Sequence, residues 1–451
     1  MSASDKMTPA ERRTGASLAS IFGLRMLGLF LILPVFAVHA RGLPGGDNLT
    51  LVGLALGIYG LTQACFQIPF GLASDRFGRK PVIVTGLTLF AIGSAVAAMA
   101  HSVQWVIVGR AIQGAGAISA AVTALAADLT REQHRTKVMA MIGSSIGMVF
   151  AVSLVAAPLL YSLIGMSGIF WLTATLAVLA IVVLRRVVPT PPRVEAKPVR
   201  FGGVLRNTQL LRMNLGIFTL HLVQMAMFVV IPAALVAKGD LPVASHWKVY
   251  LPAVLVSFAF MVPAIITAER KNRLKPVFVG AIGLLVLTQI GFLFGRTGLW
   301  PIAICLVFFF VAFNILEATL PSLVSRIAPP NAKGAALGVY NTTQALGLFL
   351  GASLGGWLKQ HVGADSVFMM TAGLAFVWLG VAATMLPPPK VASRSYPIGP
   401  SVDLETVRAK IVDLPGVREA VIEQEGRMAH LKVNLDRWDE ARLRQLIGGE
   451  V

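Results

Sequence analysis

The chain has 451 residues, 56% of them hydrophobic and only 13% charged, with a formal net charge of +18. A soluble protein normally carries about a quarter charged residues. The composition therefore excludes an ordinary soluble domain and points to a polytopic membrane protein, whose excess cations need only anionic lipid headgroups, and no nucleic acid, as partners.

After a short N-terminal segment (1–15), apolar stretches recur at 16–40, 49–73, 81–101, 104–128, 137–162 and 167–187. They resume at 211–237, 245–268, 277–297, 300–327, 334–358 and 366–387. Crossing a hydrocarbon core of about 30 Å takes about 20 apolar residues. The stretches are too long for barrel strands, and only helices satisfy their own backbone in lipid. The expected fold is an all-α polytopic membrane protein with 12 transmembrane helices in two six-helix bundles. The bundles are 16–187 and 211–387, joined by a basic cytoplasmic linker at 188–210.

Orientation follows from Lys and Arg. With the N-terminus inside, inner loops hold 22 of these cations and outer loops 5. That bias places both termini in the cytoplasm. The first apolar stretch is too long for a cleavable signal and lacks a small-residue cleavage site. Cys65 and Cys305 both fall inside apolar stretches, which argues against a disulfide framework or a metal site.

The two halves echo each other weakly. The acidic-then-basic turn Asp75–Lys80 has a counterpart at Glu269–Lys275. The fifth stretch carries Gly143 and Gly147, and the eleventh carries Gly347, Gly351 and Gly355, a spacing that lets helices approach closely in lipid. Paired halves of this kind are the signature of a rocking secondary transporter with its site at the midplane.

Past residue 387, a Pro-rich linker (388–395) leads to a segment of different character, 396–451. Asp403–Leu414 reads as a helix stopped by Pro415 and Gly416. Val417–Glu423 and Met428–Asn434 read as strands around a Glu-Gly turn, and Arg437–Ile447 as a second helix. The order suggests a small α+β ferredoxin-like domain, with Tyr396–Pro400 as a short first strand and no closing strand. It has no CxxC, which argues against a copper-chaperone role.

The string GLASDRFGRK at 71–80 places two glycines, an acid and three cations in a tight interhelical turn. It resembles the signature loop of the major facilitator superfamily, matched by Gly71, Asp75, Arg76, Gly78, Arg79 and Lys80. The stretch beginning at Phe308 and the run GLRMLGLFLILPVFA near the start are similar to the YajR-type bacterial subgroup, which carries a C-terminal ferredoxin-like domain. The resemblance implies the major facilitator fold, proton-driven transport and no cofactor. It also implies that Asp75 meets the N-terminal end of the eleventh helix near Gly334, where a helix dipole favours an acid. Arg79 is then placed to pair with Asp128, forming a latch that shuts the inner side. The alternative is that Arg76, Arg79 and Lys80 are only topogenic anchors.

Arg25, Arg110 and Glu317 are the charges deep within apolar stretches, and such residues are expensive unless they face a cavity or a partner. Glu317, one turn from Asn314, reads as a proton-coupling or cation-recognition site, or else as a structural hub bonded to Asn341 or Gln344. Arg110, with Gln113 and Gly114, resembles the family's fourth-helix motif, in which the arginine is tied to proton transfer; bonding to backbone carbonyls is the alternative. Arg25 lies near enough to the inner end to snorkel in part. Tyr59, Gln63 and Gln67 form a polar stripe on the second helix, and His221 and Gln224 share a face of the seventh. Each pair or stripe either lines an aqueous path or bonds helix to helix, and His221 fits a structural role better than a metal-ligand one. Phe22, Met26 and Phe30 would form an apolar cavity wall if they face inward.

These features give a proton-coupled secondary transporter that works by alternating access in a bacterial inner membrane. It would be a monomer exporting a drug or other small amphipathic molecule, with small-molecule substrate, protons and lipids as its only partners. The fifth helix departs from the antiporter pattern, since Ser153–Tyr161 keeps Pro158 but has neither motif glycine nor the trailing Gly-Gly. A metabolite-uptake symporter and a membrane sensor on a transporter scaffold stay open as alternatives. No nucleotide-binding loop is present for a primary pump.

Overall fold

A computed structural model describes residues 7–190, 202–271, 273–328, 333–387, 391–399, 402–423, 427–434 and 437–447. Helix α1 (Pro9–Phe30) starts on a reciprocal cap in which Glu11 bonds the Thr8 backbone and the Thr8 hydroxyl accepts from Glu11 N–H. A run of turns follows, leading to the short α2 (Phe36–His39). Helix α3 (Leu49–Phe77) is capped by the Asn48 side chain. Gly78, at φ 97°, is the sole residue between α3 and α4 (Arg79–Ala98), a left-handed joint that a side chain would strain.

The fourth apolar stretch is interrupted. Helix α5 (Val103–Ala115) stops and α6 (Ser119–Asp128) resumes after Gly116, whose α-carbon is so close to Gly86 that a Cβ would lie 2.3 Å from its carbonyl oxygen. Helix α7 (Glu132–Arg186) is continuous only in outline. Gly165, at φ 65° and ψ −176°, breaks it into arms 132–164 and 166–186. The short α8 (Gly202–Leu205) precedes α9 (Thr208–Ala237), α10 (Trp247–Arg270), α11 (Leu274–Phe294), α12 (Leu299–Ile327), α13 (Lys333–His361) and α14 (Ala364–Ala383).

Among the described residues, nine helical segments are long and apolar enough to cross a membrane; α5 and α6 form one of them and both arms of α7 another. Helices α1 and α13 fall outside that count. Large apolar side chains on the outer surface, Leu163, Phe294, Trp300 and Phe376 among them, suit contact with lipid.

In the first half α1 lies along α7, α4 packs on α7 and α5, and α3 packs on α5. In the second half α9 packs on α13 and α14, α10 on α12, and α11 on α12 and α14. Helix α9 is buried on nearly every side, which accounts for its apolar residues lying all round. Gly347 and Gly351 of α13 bring it against the α9 backbone, where a Cβ would lie 2.4 and 2.3 Å from the Phe218 and Leu222 carbonyl oxygens. The first-half ladder behaves differently: a Cβ on Gly143 or Gly147 meets nothing within 4 Å, so those glycines bring no neighbour close.

The C-terminal unit runs β1 (Val391–Pro397), α15 (Leu404–Val412), β2 (Val417–Glu423), β3 (Met428–Asn434) and α16 (Glu440–Ile447). Its antiparallel sheet has the order β1-β3-β2, over a core that includes Val407, Ile411, Leu431, Val433 and Leu443. The two later strands fall where the alternation predicts. The first strand begins at Val391, inside the stretch read as linker (388–395), because all seven of its residues pair with β3. The second helix is shorter than Arg437–Ile447, beginning at Glu440. Most of the interbundle linker, 191–201, and the Glu-Gly turn lie outside the described residues.

Candidate transport pathway

The turn at 71–80 is built around Arg79. Its Nε donates to Asp128 Oδ2 at 2.9 Å, its Nη1 donates to Ser74 Oγ at 2.8 Å, and it forms an ion pair with Asp75 one turn earlier. Ser74 in turn donates to the Gly71 carbonyl at 2.7 Å. One guanidinium therefore ties together the end of α3, the start of α4 and the end of α6. Arg76 lies over the Phe77 ring at 5.3 Å, and Lys80 reaches Thr190 at 3.4 Å. Asp75 is engaged by Arg79, and a Cβ on Gly334 or Gly338 of α13 meets nothing within 4 Å. At that end, then, the two bundles do not meet through Asp75, Gly334 or Gly338.

At the opposite end they are closed. Gly53, Gly57 and Gly60 of α3 face α13 so tightly that a Cβ would lie 2.3, 2.7 and 2.5 Å from the carbonyl oxygens of Ala352, Phe349 and Ala345. The Leu49 N–H at the start of α3 donates to Gln360 Oε1 of α13 at 2.8 Å; within the second bundle, Lys359 donates to the Val229 carbonyl on α9 at 2.8 Å. Residue numbers rise along α3 as they fall along α13. Continued along both helices, that antiparallel register brings Asp75 level with the start of α13.

The first bundle holds a buried polar core. Arg110 and Arg25 are 0% and 1% exposed, and both lie over the Tyr59 ring, at 4.8 and 5.7 Å from its centre. Arg110 donates to Gln113 Oε1 at 3.0 Å, Gln113 donates to Ser94 Oγ at 2.7 Å, and Arg25 Nη1 donates to Ser119 Oγ at 3.1 Å. Arg25 thus turns inward onto α3 and α6 and does not snorkel. Gln63 and Gln67 are buried on the same stripe as Tyr59. Phe22, Met26 and Phe30 are also buried.

The second bundle holds the Glu317 cluster. His221 Nε2 lies 2.8 Å from Gln344 Nε2 and 3.8 Å from Glu317 Oε2, and its Nδ1 lies 3.2 Å from the Ile217 carbonyl. With Nδ1–H donating to that carbonyl, Nε2 is the acceptor and the Gln344 amide donates to it. Gln344 therefore bonds His221, and Glu317 Oε2 is a buried oxygen with no hydrogen-bond partner. Asn314 points away from Glu317 and donates to Ser257 on α10 at 2.8 Å. Gln224 is buried on α9, and its Oε1 has no partner.

An aromatic chain joins the two cores. Phe150 of α7 contacts Phe30 at 5.0 Å, Phe310 at 6.1 Å and Phe313 at 5.5 Å, and Phe313 contacts the His221 ring at 5.8 Å. Sequence reasoning missed Phe150, Phe313, Ser74, Ser94, Ser119 and Ser257. Ser94, Ser119 and Ser257 had a readable signal, a hydroxyl inside an apolar stretch, and Ser74 lay within the 71–80 string, but the two phenylalanines had none among so many aromatics.

Two bundles of apolar helices, parted at one end and sealed at the other around two polar cores, describe a membrane transporter. A family model described as the Major Facilitator Superfamily matches residues 16–352 and 253–415, and the chain belongs to that superfamily of transporters. It is 45% identical over 436 residues to the inner membrane transport protein YajR of Escherichia coli (strain K12), covering 95% of this chain and 96% of the relative. It is 28% identical over 344 residues to the multidrug resistance protein MdtH of Yersinia enterocolitica, covering 74% of this chain and 84% of that one. The solved structure of the POT family transporter PepTSo shares the fold, with a TM-score of 0.67 and 15% identity over 84% of this chain and 98% of its own. The human organic anion transporter MFSD10 does so at a TM-score of 0.65 and 20% identity, over 83% of this chain and all of its own.

Proposed function

We propose that the chain is a proton-coupled secondary transporter that exports a small amphipathic molecule by alternating access across a bacterial inner membrane. Counting α7 as two arms and adding α1 and α13 to the nine apolar segments gives twelve crossings, with both termini in the cytoplasm by the placement of Lys and Arg. The Asp75 end then faces the cytoplasm, and the conformer described is open inward.

The observation that carries this reading is the glycine-lined seam of α3 and α13. Its backbone contacts close one end only, and its register aims Asp75 at the start of α13 when the other end closes. Glu317 is the coupling carboxyl, a half-buried acid across from a neutral histidine, able to take a proton in one state and release it in the other. Arg79 and its partners Asp75, Ser74 and Asp128 form the inner latch. The C-terminal unit is a ferredoxin-like module with three strands among the described residues, docked where Arg418 bonds the Arg326 carbonyl at the end of α12. Relatives named for inner-membrane transport and multidrug resistance support the location and the export direction.

The test is flux in proteoliposomes under an imposed pH gradient, using fluorescent amphipathic dyes of both charge signs. The expected result is gradient-driven dye movement that Glu317→Gln uncouples from protons. Proton-coupled movement that survives Glu317→Gln removes the coupling role.

A further inference from the structure

Arg25 and Arg110 are both fully buried within 6 Å of one tyrosine ring, and among the described residues neither has an ion pair. Among the described acids of that half, Glu11 is bonded to Arg131, Asp75 and Asp128 are bonded to Arg79, and Asp47 is exposed between α2 and α3. Two buried guanidiniums without a counter-charge are costly in a membrane interior unless an anion joins them.

The hydrogen-bond inventory shows where it would join. Arg25 spends Nη1 on Ser119, while Nε and Nη2 are buried without partners. Those two atoms lie on one edge of the guanidinium and carry its side-on pair of parallel N–H groups, the edge that grips a carboxylate with two bonds. Tyr59 Oη, on the ring between the two arginines' contacts, is also buried without a partner. Arg110 is more fully used, donating to Gln113 and to the Leu56 carbonyl at 3.5 Å, with Nε free. Arg110 thus supplies field and Arg25 supplies the grip.

We propose that Arg25, with Tyr59 and Arg110, is an anion-binding site for a carboxylate, and that the transported compound therefore carries one. The site stands on its own geometry. Only its link to the cargo rests on the transport reading.

The experiment uses the purified full chain in neutral detergent with two matched probes, benzoate and benzylammonium, at constant ionic strength. Benzoate is expected to give a saturable rise in unfolding temperature and a calorimetric isotherm, and benzylammonium neither. Arg25→Gln should weaken benzoate binding at least tenfold. Arg25→Lys keeps the charge but loses the fork, and should weaken it at least fivefold, which decides the matter if Arg25→Gln does not fold. Tyr59→Phe keeps the ring and should weaken it two- to fivefold. Arg444→Gln, removing an exposed cation of the C-terminal unit, should bind as the parent does. Equal response to both probes, or parent-like binding by Arg25→Lys, overturns the site. Counterflow of labelled benzoate separates the two readings: binding without flux keeps the site and removes the cargo, whereas dye flux without benzoate binding keeps the transport reading and removes the site.

Discussion

Phe150 of α7 and Phe313 of α12, one in each bundle, meet with ring centres 5.5 Å apart and planes at 39°. Both are nearly fully buried. They join the bundles through helices other than the α3–α13 seam. Phe313 also touches His221, so this joint runs directly into the Glu317 cluster.

Truncating that joint should loosen the conformer described. Phe150→Ala removes contacts to three other rings and should cost about 3 kcal/mol of stability, at the low end for a buried phenylalanine. Thermal unfolding of purified protein measures the loss. Spin-label distances between α3 and α13 should show the glycine seam opening more often.

The seam itself tolerates no side chain on α3. Gly53→Leu forces atoms into the Ala352 carbonyl, so the Leu49 end cannot close. The expected phenotype is folded protein with transport below a tenth of the parent rate. A cysteine pair at Leu49 and Gln360, expected to cross-link in the parent background because these residues meet there, should fail to do so in this variant.

Gly71 gives the opposite expectation. A Cβ there meets only Ala120 at 3.5 Å, an ordinary contact, so Gly71→Ala should leave the stability of this conformer within about 0.5 kcal/mol. If the turn must approach α13 in the other state, transport should still fall. Arg79 and Asp128 should show a coupling of about 0.5–3 kcal/mol in a double-mutant cycle read by thermal unfolding, because they share a direct bond at 2.9 Å.

Glu11, ahead of the apolar part of α1, provides a pH signature. Three bonds from Arg131, together with its cap bond to Thr8, hold its carboxyl at about 2, below the ordinary 4.5. A lowered carboxyl stabilises the fold above its unfolded value, and that stabilisation is lost as pH falls toward 2. Glu11→Gln should therefore cost about 1–3 kcal/mol at pH 7 and progressively less below pH 4.5. Unfolding temperatures of the two proteins across pH 3–7 measure the convergence.

The architecture was legible where chemistry repeats. Apolar length marked the helices, and the 71–80 string marked the turn that Arg79 organises, including its partner Asp128. Val417–Glu423 and Met428–Asn434 alternated cleanly enough to be read as strands to the residue. The rest depended on contacts between distant segments. Arg25 read as a snorkelling cation because its distance from the helix end says nothing of Ser119, ninety-four residues away. Asn314 shares a helix face with Glu317, yet packing turned it to Ser257. Gly116 breaks its helix where it packs against Gly86, which apolar periodicity does not show, whereas the break at Gly165 falls in the gap between the fifth and sixth apolar stretches, 137–162 and 167–187. The strand at Val391 was hidden because its pairing with β3, not its composition, makes it a strand.

The central claim is that the two ends of the α3–α13 seam open in alternation. Spin-label pairs on the full chain in nanodiscs, one at Leu49 and Gln360 and one at Phe77 and Gly334, measure both ends in the same sample set. The account predicts that substrate or an imposed pH gradient lengthens one distance while shortening the other, by several ångströms each. Distances that lengthen together, or a Leu49 end that stays shut while transport proceeds, would contradict it.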